Sequence, residues 1–227
     1  MQTLEARHTA ARMLLTCGTI AGPLYVALGA LQMLIRPGFD PARNDLSLLS
    51  NGNLGWIQVA NFIAAGVLVI AGAAGVRQVL HGGPGGSWGP VLPGLYGLGL
   101  MGGGLFSADP MNGFPPGTPA GAPVDPTVHG FMHILSGAIG FLGLGAACSV
   151  FARRFAALGQ RGWAACSIIT GAVFLAAFFG IAMGSQQGGA TLVFVTVAFT
   201  IAVLLAWSWV SLIAAKFSRG LSNGGQA

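Results

Sequence analysis

Apolar residues fall in long continuous runs along this chain, broken by short polar or Gly/Pro-rich segments. Runs of the roughly 20 residues needed to cross a bilayer as a helix extend from Met13 to Ile35, Ile57 to Val76, Pro90 to Ala108, His129 to Phe151, Trp163 to Gly184 and Ala190 to Ala215. Lipid leaves no partner for unpaired backbone groups, so only helices and closed barrels can span it, and continuous runs select helices. The pattern predicts an all-α fold: one bundle of about six transmembrane helices over residues 13–215, with tails at 1–12 and 216–227. The first run exceeds the roughly 7–15 residues of a signal-peptide core. Around Tyr25, Gly29 and Gln32 it offers no small-residue cleavage site, so it is expected to be retained.

Composition closes off the other classes. Of 227 residues, 54% are hydrophobic and 7% charged, and the mean hydropathy is +0.74. Soluble domains carry roughly 25% charged residues, and disordered chains need low hydrophobicity with high charge. A multi-pass membrane protein remains.

The basic residues predict orientation. Arg7 and Arg12 precede the first run, Arg77 follows the second, Arg153, Arg154 and Arg161 separate the fourth from the fifth, and Lys216 and Arg219 follow the sixth. Only Arg36 and Arg43 fall on the other side, with Asp40, Asp45, Asp109 and Asp125. The positive-inside rule then makes both termini cytoplasmic. Basic residues scattered singly at helix ends meet anionic lipid, so membrane lipids are the expected partners. The chain has no basic run with interleaved aromatics, and no nucleic-acid partner is expected.

Cys17, Cys148 and Cys166 lie near the cytoplasmic ends of their runs without CxxC spacing, which suits small packing residues better than a disulfide framework. The 38 glycines suit close helix approach in lipid. Gly94, Gly97, Gly99, Gly102, Gly103 and Gly104 predict that the third span is a thin, central helix with neighbours pressed against it. The segment from His81 to Pro90 reads as a flexible linker, and His8 and His81 as solvated.

Candidate chemistry sits in the two long outer loops. In the first, Asp45 and Ser47 are in register to open a short helix with Asn44 or Asp45 as N-cap. Gln58 and Asn61, three apart in the next span, share a face and serve as interhelical glue or a substrate-binding pair, with Trp56 beside them. In the second loop, Asp109 closes the third span before Pro110. His129 and His133 follow at i and i+4, the spacing with which one helix offers two imidazoles to a metal ion. With Asp109 or Asp45 they would complete a three-ligand zinc site with water in the fourth position. The competing structural reading gives Asp109 a cap and leaves the imidazoles to interfacial water and loop carbonyls. On the functional reading, Asp45, Asp109, His129 and His133 converge near the outer surface, with Ser47, Gln58 and Asn61 around them.

The segments NDLSLLSNGNLGWIQVANFIAAG, FSADP and HGFMHILSG resemble, in this order and over nearly the whole chain, the bacterial membrane family named domain of unknown function 998. The matching positions are Asp45, Ser47, Trp56, Asp109, Pro110, His129 and His133. The resemblance implies a compact bundle of about six helices in a bacterial inner (plasma) membrane and carries no established chemistry. A weaker likeness is to the membrane hydrolases that include alkaline ceramidases and adiponectin-receptor-like proteins. Those hold zinc with a Ser, an Asp and three His in a seven-helix bundle. This chain has Ser47, Asp45 or Asp109, and His129 with His133, but lacks the third outer histidine, one helix and the motif order.

Three functions stay open. One is a zinc-dependent hydrolase or lipid-modifying enzyme using His129, His133 and an Asp, with Asp45, Ser47 and Asp109 catalytic and a lipid-like substrate. Another is a non-enzymatic module binding lipid, a partner or a small solute. A third uses Asp45 or Asp109 as an acid to start rearrangement of an isoprenoid or an epoxide.

Overall fold

A computed structural model describes residues 2–80 and 85–222 of the chain; His81 lies outside the described residues. The described residues form six α-helices: α1 (Gln2–Ile35), α2 (Gly55–Val79), α3 (Trp88–Leu105), α4 (Val128–Ala157), α5 (Arg161–Gly184) and α6 (Gly189–Ser222). A short 3-10 helix, Leu46–Ser50, lies between α1 and α2. Every apolar run except the third falls inside one helix. Several helices outlast their runs: α1 is already helical at Gln2, within the stretch read as a tail, and α6 continues to Ser222.

Each helix packs on the next in sequence, and α6 closes the ring by packing on α1. The partners descend as the sequence ascends. Gly18 meets Gly72 while Tyr25 meets Asn61, Gly99 meets Gly140 while Gly102 meets Ser136, and Gly22 meets Trp207 while Gly18 meets Ala214. All neighbours are therefore antiparallel, as short connections demand.

Among the described residues, five helices are long and apolar enough to cross a membrane. The third is not among them, because glycines and the prolines Pro90 and Pro93 dilute its 18 residues. Its glycines are close-packed as expected: a Cβ on Gly97 would lie 2.8 Å from the Gly66 carbonyl oxygen, and one on Gly99 would lie 2.7 Å from Gly140 Cα. The helix is not central, however. It is one stave of the ring between α2 and α4.

The outer surface is apolar, unlike that of a soluble protein. Ile20, Leu31, Leu98, Ile139, Leu142, Ile169, Phe179 and Ile201 are exposed on the outer surface, where lipid replaces water. Trp56 and Trp88, both exposed, begin two successive antiparallel helices and so stand at opposite ends of the bundle. That is the arrangement of interfacial tryptophan belts. The interior is aromatic: Tyr25 stacks on Trp207 with centroids 4.6 Å apart, and Tyr96 approaches Trp207 at 5.5 Å. At the end where α1 begins and α6 finishes, Lys216 lies over the rings of Phe155 and Trp163 at 5.3 and 4.9 Å.

Candidate functional site

The opposite end of the ring carries a cap built from the two long loops. Asp45 is the N-cap of the 3-10 helix: its carboxylate accepts the backbone N–H and the hydroxyl of Ser47. Leu48 and Leu49 then pack with Phe114 from the second loop in a small core separate from that of the ring. Arg36, just past α1, ties these parts together. It is buried, donates to the backbone carbonyls of Leu49 and Asn51, and lies 5.2 Å from the Phe114 ring centroid. Burial pushes the guanidinium below its usual pKa, and the two carbonyls and the ring meet its charge in place of water. Asn44 and Asn112 exchange side-chain-to-backbone bonds between the loops, Asn44 Nδ2 to the Asn112 carbonyl and Asn112 Nδ2 to the Arg43 carbonyl.

Asp109 performs a related task at α4. Thr127 is the N-cap there, its hydroxyl oxygen accepting the Gly130 N–H at 3.0 Å. Asp109 accepts both the N–H and the hydroxyl of Thr127. Its carboxylate lies against Gly130 so closely that a Cβ at that residue would collide with it. A negative group at a helix N-terminus is favoured by the helix dipole.

The two histidines part company. His133 Nδ1 lies 2.8 Å from the Phe106 carbonyl oxygen and 3.1 Å from that of Gly103. Carbonyls only accept, so Nδ1 carries the proton, and in the neutral ring the lone pair is on Nε2. His129 is exposed, with its ring edge-on to Phe106 at 5.6 Å. Among the described residues, no group of three or more His, Cys, Asp or Glu side chains could hold a metal ion. His129, His133 and Asp109 are not gathered as one ligand set: His133 holds its Nδ1 on α3 carbonyls, Asp109 lies at Thr127, and His129 is exposed.

Beneath the cap lies a cavity of about 340 Å³, a size suited to a small molecule. Asp45, Ser47, Asp109 and His133 are on its wall, together with Arg43 and Asn112, so polar groups gather at the capped end. Deeper, the wall is Phe62, Leu100, Phe141, Phe178, Phe199 and Val203, and it reaches Tyr25, Tyr96 and Trp207. His129, Trp56, Gln58 and Asn61 are not on the wall.

Gln58 and Asn61 are instead fully buried between α1 and α2. Gln58 Oε1 accepts from Gln32 Nε2 at 2.8 Å and from Asn61 Nδ2 at 3.3 Å, while Asn61 Nδ2 also reaches the Tyr25 carbonyl at 3.1 Å. Gln58 Nε2 stands 3.5 Å from the Tyr25 hydroxyl, at the back of the cavity wall. Sequence reasoning missed Gln32, although a lone amide in an apolar run is a signal for a buried partner. It also missed Arg36, Tyr25, Trp207 and Thr196. Thr196 is on the cavity wall, buried, and its hydroxyl has no partner among the described residues.

Residues 19–216 match the family described as a protein of unknown function (DUF998). The chain belongs to that family. No curated protein and no solved structure matches it. With five apolar helices of spanning length, this DUF998 protein is a multi-pass membrane protein.

Proposed function

We propose that this DUF998 protein is a membrane receptacle that binds one amphipathic, lipid-like molecule in the cavity of its helix ring. The observation that carries the reading is the gradient along the wall. Aromatic and aliphatic side chains line the depth, and Arg43, Asp45, Ser47, Asn112, Asp109 and His133 gather at the capped end. A ligand with an apolar body and a polar head matches both. His133 Nε2 supplies an acceptor for a hydroxyl or ammonium head. Taken with the eight basic residues at the other end, this reading puts the capped end on the outer face of a bacterial plasma membrane. Native mass spectrometry of protein purified in mild detergent tests it. A co-purifying apolar mass is expected, and filling the cavity with Thr200→Phe should lower its occupancy by about tenfold, a loss of roughly 1.4 kcal/mol. Equal occupancy in both proteins, or none in either, would defeat the reading.

The His133 ring, held on α3 carbonyls through Nδ1 and placed on the cavity wall, favours a second reading. In it, Nε2 takes a proton from water or from a hydroxyl of the bound head, and Ser47 and Asp45 form the polar wall beside it. Turnover that His133→Gln abolishes while the co-purifying mass persists would separate catalysis from binding. Both aspartates use carboxylate oxygens as acceptors in caps, and nothing further favours the acid-initiated rearrangement.

A further inference from the structure

Resting on the receptacle reading, we propose that the cavity opens sideways into the bilayer through a slot between the first turns of α4 and the last turns of α5. Through this slot it takes an acyl chain of a membrane lipid. The slot is marked by residues that belong to two surfaces at once. Ile134 on α4 is 65% exposed and lies on the cavity wall, and Ala182 on α5 is likewise both exposed and on the wall. A side chain can face the interior and the outer surface together only at an opening.

The glycines of α4 locate the slot's extent. Gly140, Gly143 and Gly145 are pressed by neighbours: Cβ atoms there would lie 3.2 Å from Gly99 Cα, 3.2 Å from the Leu92 carbonyl oxygen and 2.5 Å from a Leu175 methyl. Gly137 is different. It is on the cavity wall, and a Cβ there would meet nothing within 4 Å, as would one on Gly180 of α5. In a helix whose other glycines serve close packing, this small residue keeps space open. Phe141 ends the slot, with ring centroids 5.1 Å from Phe174 and 5.2 Å from Phe178. Nearer the cap, Gly137 and Gly180 leave open space beside both helices.

The surroundings name the occupant. At this level the outward residues are Phe131, Leu135, Phe179 and Met183, so the phase outside is hydrocarbon. A chain moving from that phase to the aromatic interior exchanges one apolar environment for another and gains packing contacts with the cavity wall. Its polar end remains at the depth of His133 and the cap. The capped end, with Arg43 and Asn112 on the wall, is polar and suits the head rather than the chain.

The test reads the fluorescence of Trp207, which lies at the deep end of the cavity and is 1% exposed. Its Nε1–H has no partner among the described residues, so Trp207→Phe removes no hydrogen bond seen there and serves as the blank. The full chain carrying Trp56→Phe and Trp88→Phe is placed in vesicles of phosphatidylcholine brominated in mid-chain, with and without Trp207. Quenching that depends on Trp207 is expected. Gly137→Phe, which fills open space, and Ala182→Phe, on the other lip, should each lower that quenching several-fold without changing thermal unfolding. Should one plug misfold, the other carries the test. Quenching unchanged by either plug overturns the slot while leaving the receptacle reading intact. No Trp207 quenching in the unplugged protein also overturns the slot, and the co-purifying mass then decides separately whether the cavity holds a ligand.

Discussion

Gln32 of α1 donates its side-chain amide to Gln58 of α2 at 2.8 Å, and both residues are fully buried. Two amides meeting between apolar helices set the register of α1 against α2, since sliding either helix by one turn strands both. Gln58→Leu should therefore destabilise the protein by about 1–2 kcal/mol, because Gln32 and Asn61 each lose one of two acceptors, and the Gln32–Gln58 bond between the helices is gone. The double variant Gln32→Leu, Gln58→Leu should lose less than the sum of the single changes. Unfolding in graded detergent mixtures measures the cycle, and strict additivity would contradict the pairing.

Asp109 and Gly130 offer a second cycle. Gly130→Ala puts a methyl group where the Asp109 carboxylate sits and should cost about 1–3 kcal/mol by overpacking. Removing the carboxylate as well, in Asp109→Ala with Gly130→Ala, should relieve the clash and leave only the loss of the bonds by which Asp109 supports the Thr127 cap, about 1 kcal/mol. Thermal unfolding of the three variants decides it.

Glycines of α3 should not behave alike. A Cβ on Gly99 would lie 2.7 Å from both Gly140 Cα and the Ser136 carbonyl oxygen, and backbone cannot step aside. One on Gly103 would have its nearest atom, His133 Cε1, at 3.5 Å, ordinary contact. Gly99→Ala is expected to lower thermal stability clearly and Gly103→Ala to change it little. Equal losses would mean that α3 is held by something other than close approach to α4.

Orientation is open to direct labelling. Val124 is 94% exposed in the second long loop. In a chain whose three native cysteines are replaced, Val124→Cys should react with an impermeant maleimide added outside intact cells. Labelling only after lysis would invert the arrangement drawn from the basic residues.

The helices were legible because membrane spans announce themselves by length and apolarity alone, and the Asp45 cap because Asp and Ser two apart before an apolar stretch have a local logic. The site was only half legible. His129 and His133 share a helix face by spacing, yet that face straddles a boundary: one turn separates a ring edge-on to Phe106 at the surface from a ring bonded to α3 carbonyls. Spacing along one helix is silent about which neighbour lies across from each turn. Gln58 and Asn61 stood out as amides, but their partner Gln32 and the acceptor at Tyr25 depend on the register of two antiparallel helices, which no local pattern encodes. Trp207 and Tyr25 were hidden for a simpler reason, since an aromatic residue within an apolar run looks the same whether it faces lipid or a cavity.

The closure of α6 on α1 has a consequence for how the protein is made. Helices leave the ribosome in order, and each from α2 to α5 can settle against the one before it, but α1 waits for its second neighbour until the last helix is inserted. Gly22 of α1 is shaped for the Trp207 backbone and Ser211, and a Cβ on it would lie 2.7 Å from the Trp207 carbonyl oxygen. Until α6 arrives that notch faces lipid and the interior has no sixth wall. Whatever the cavity holds is therefore enclosed last, at the same step that completes the ring.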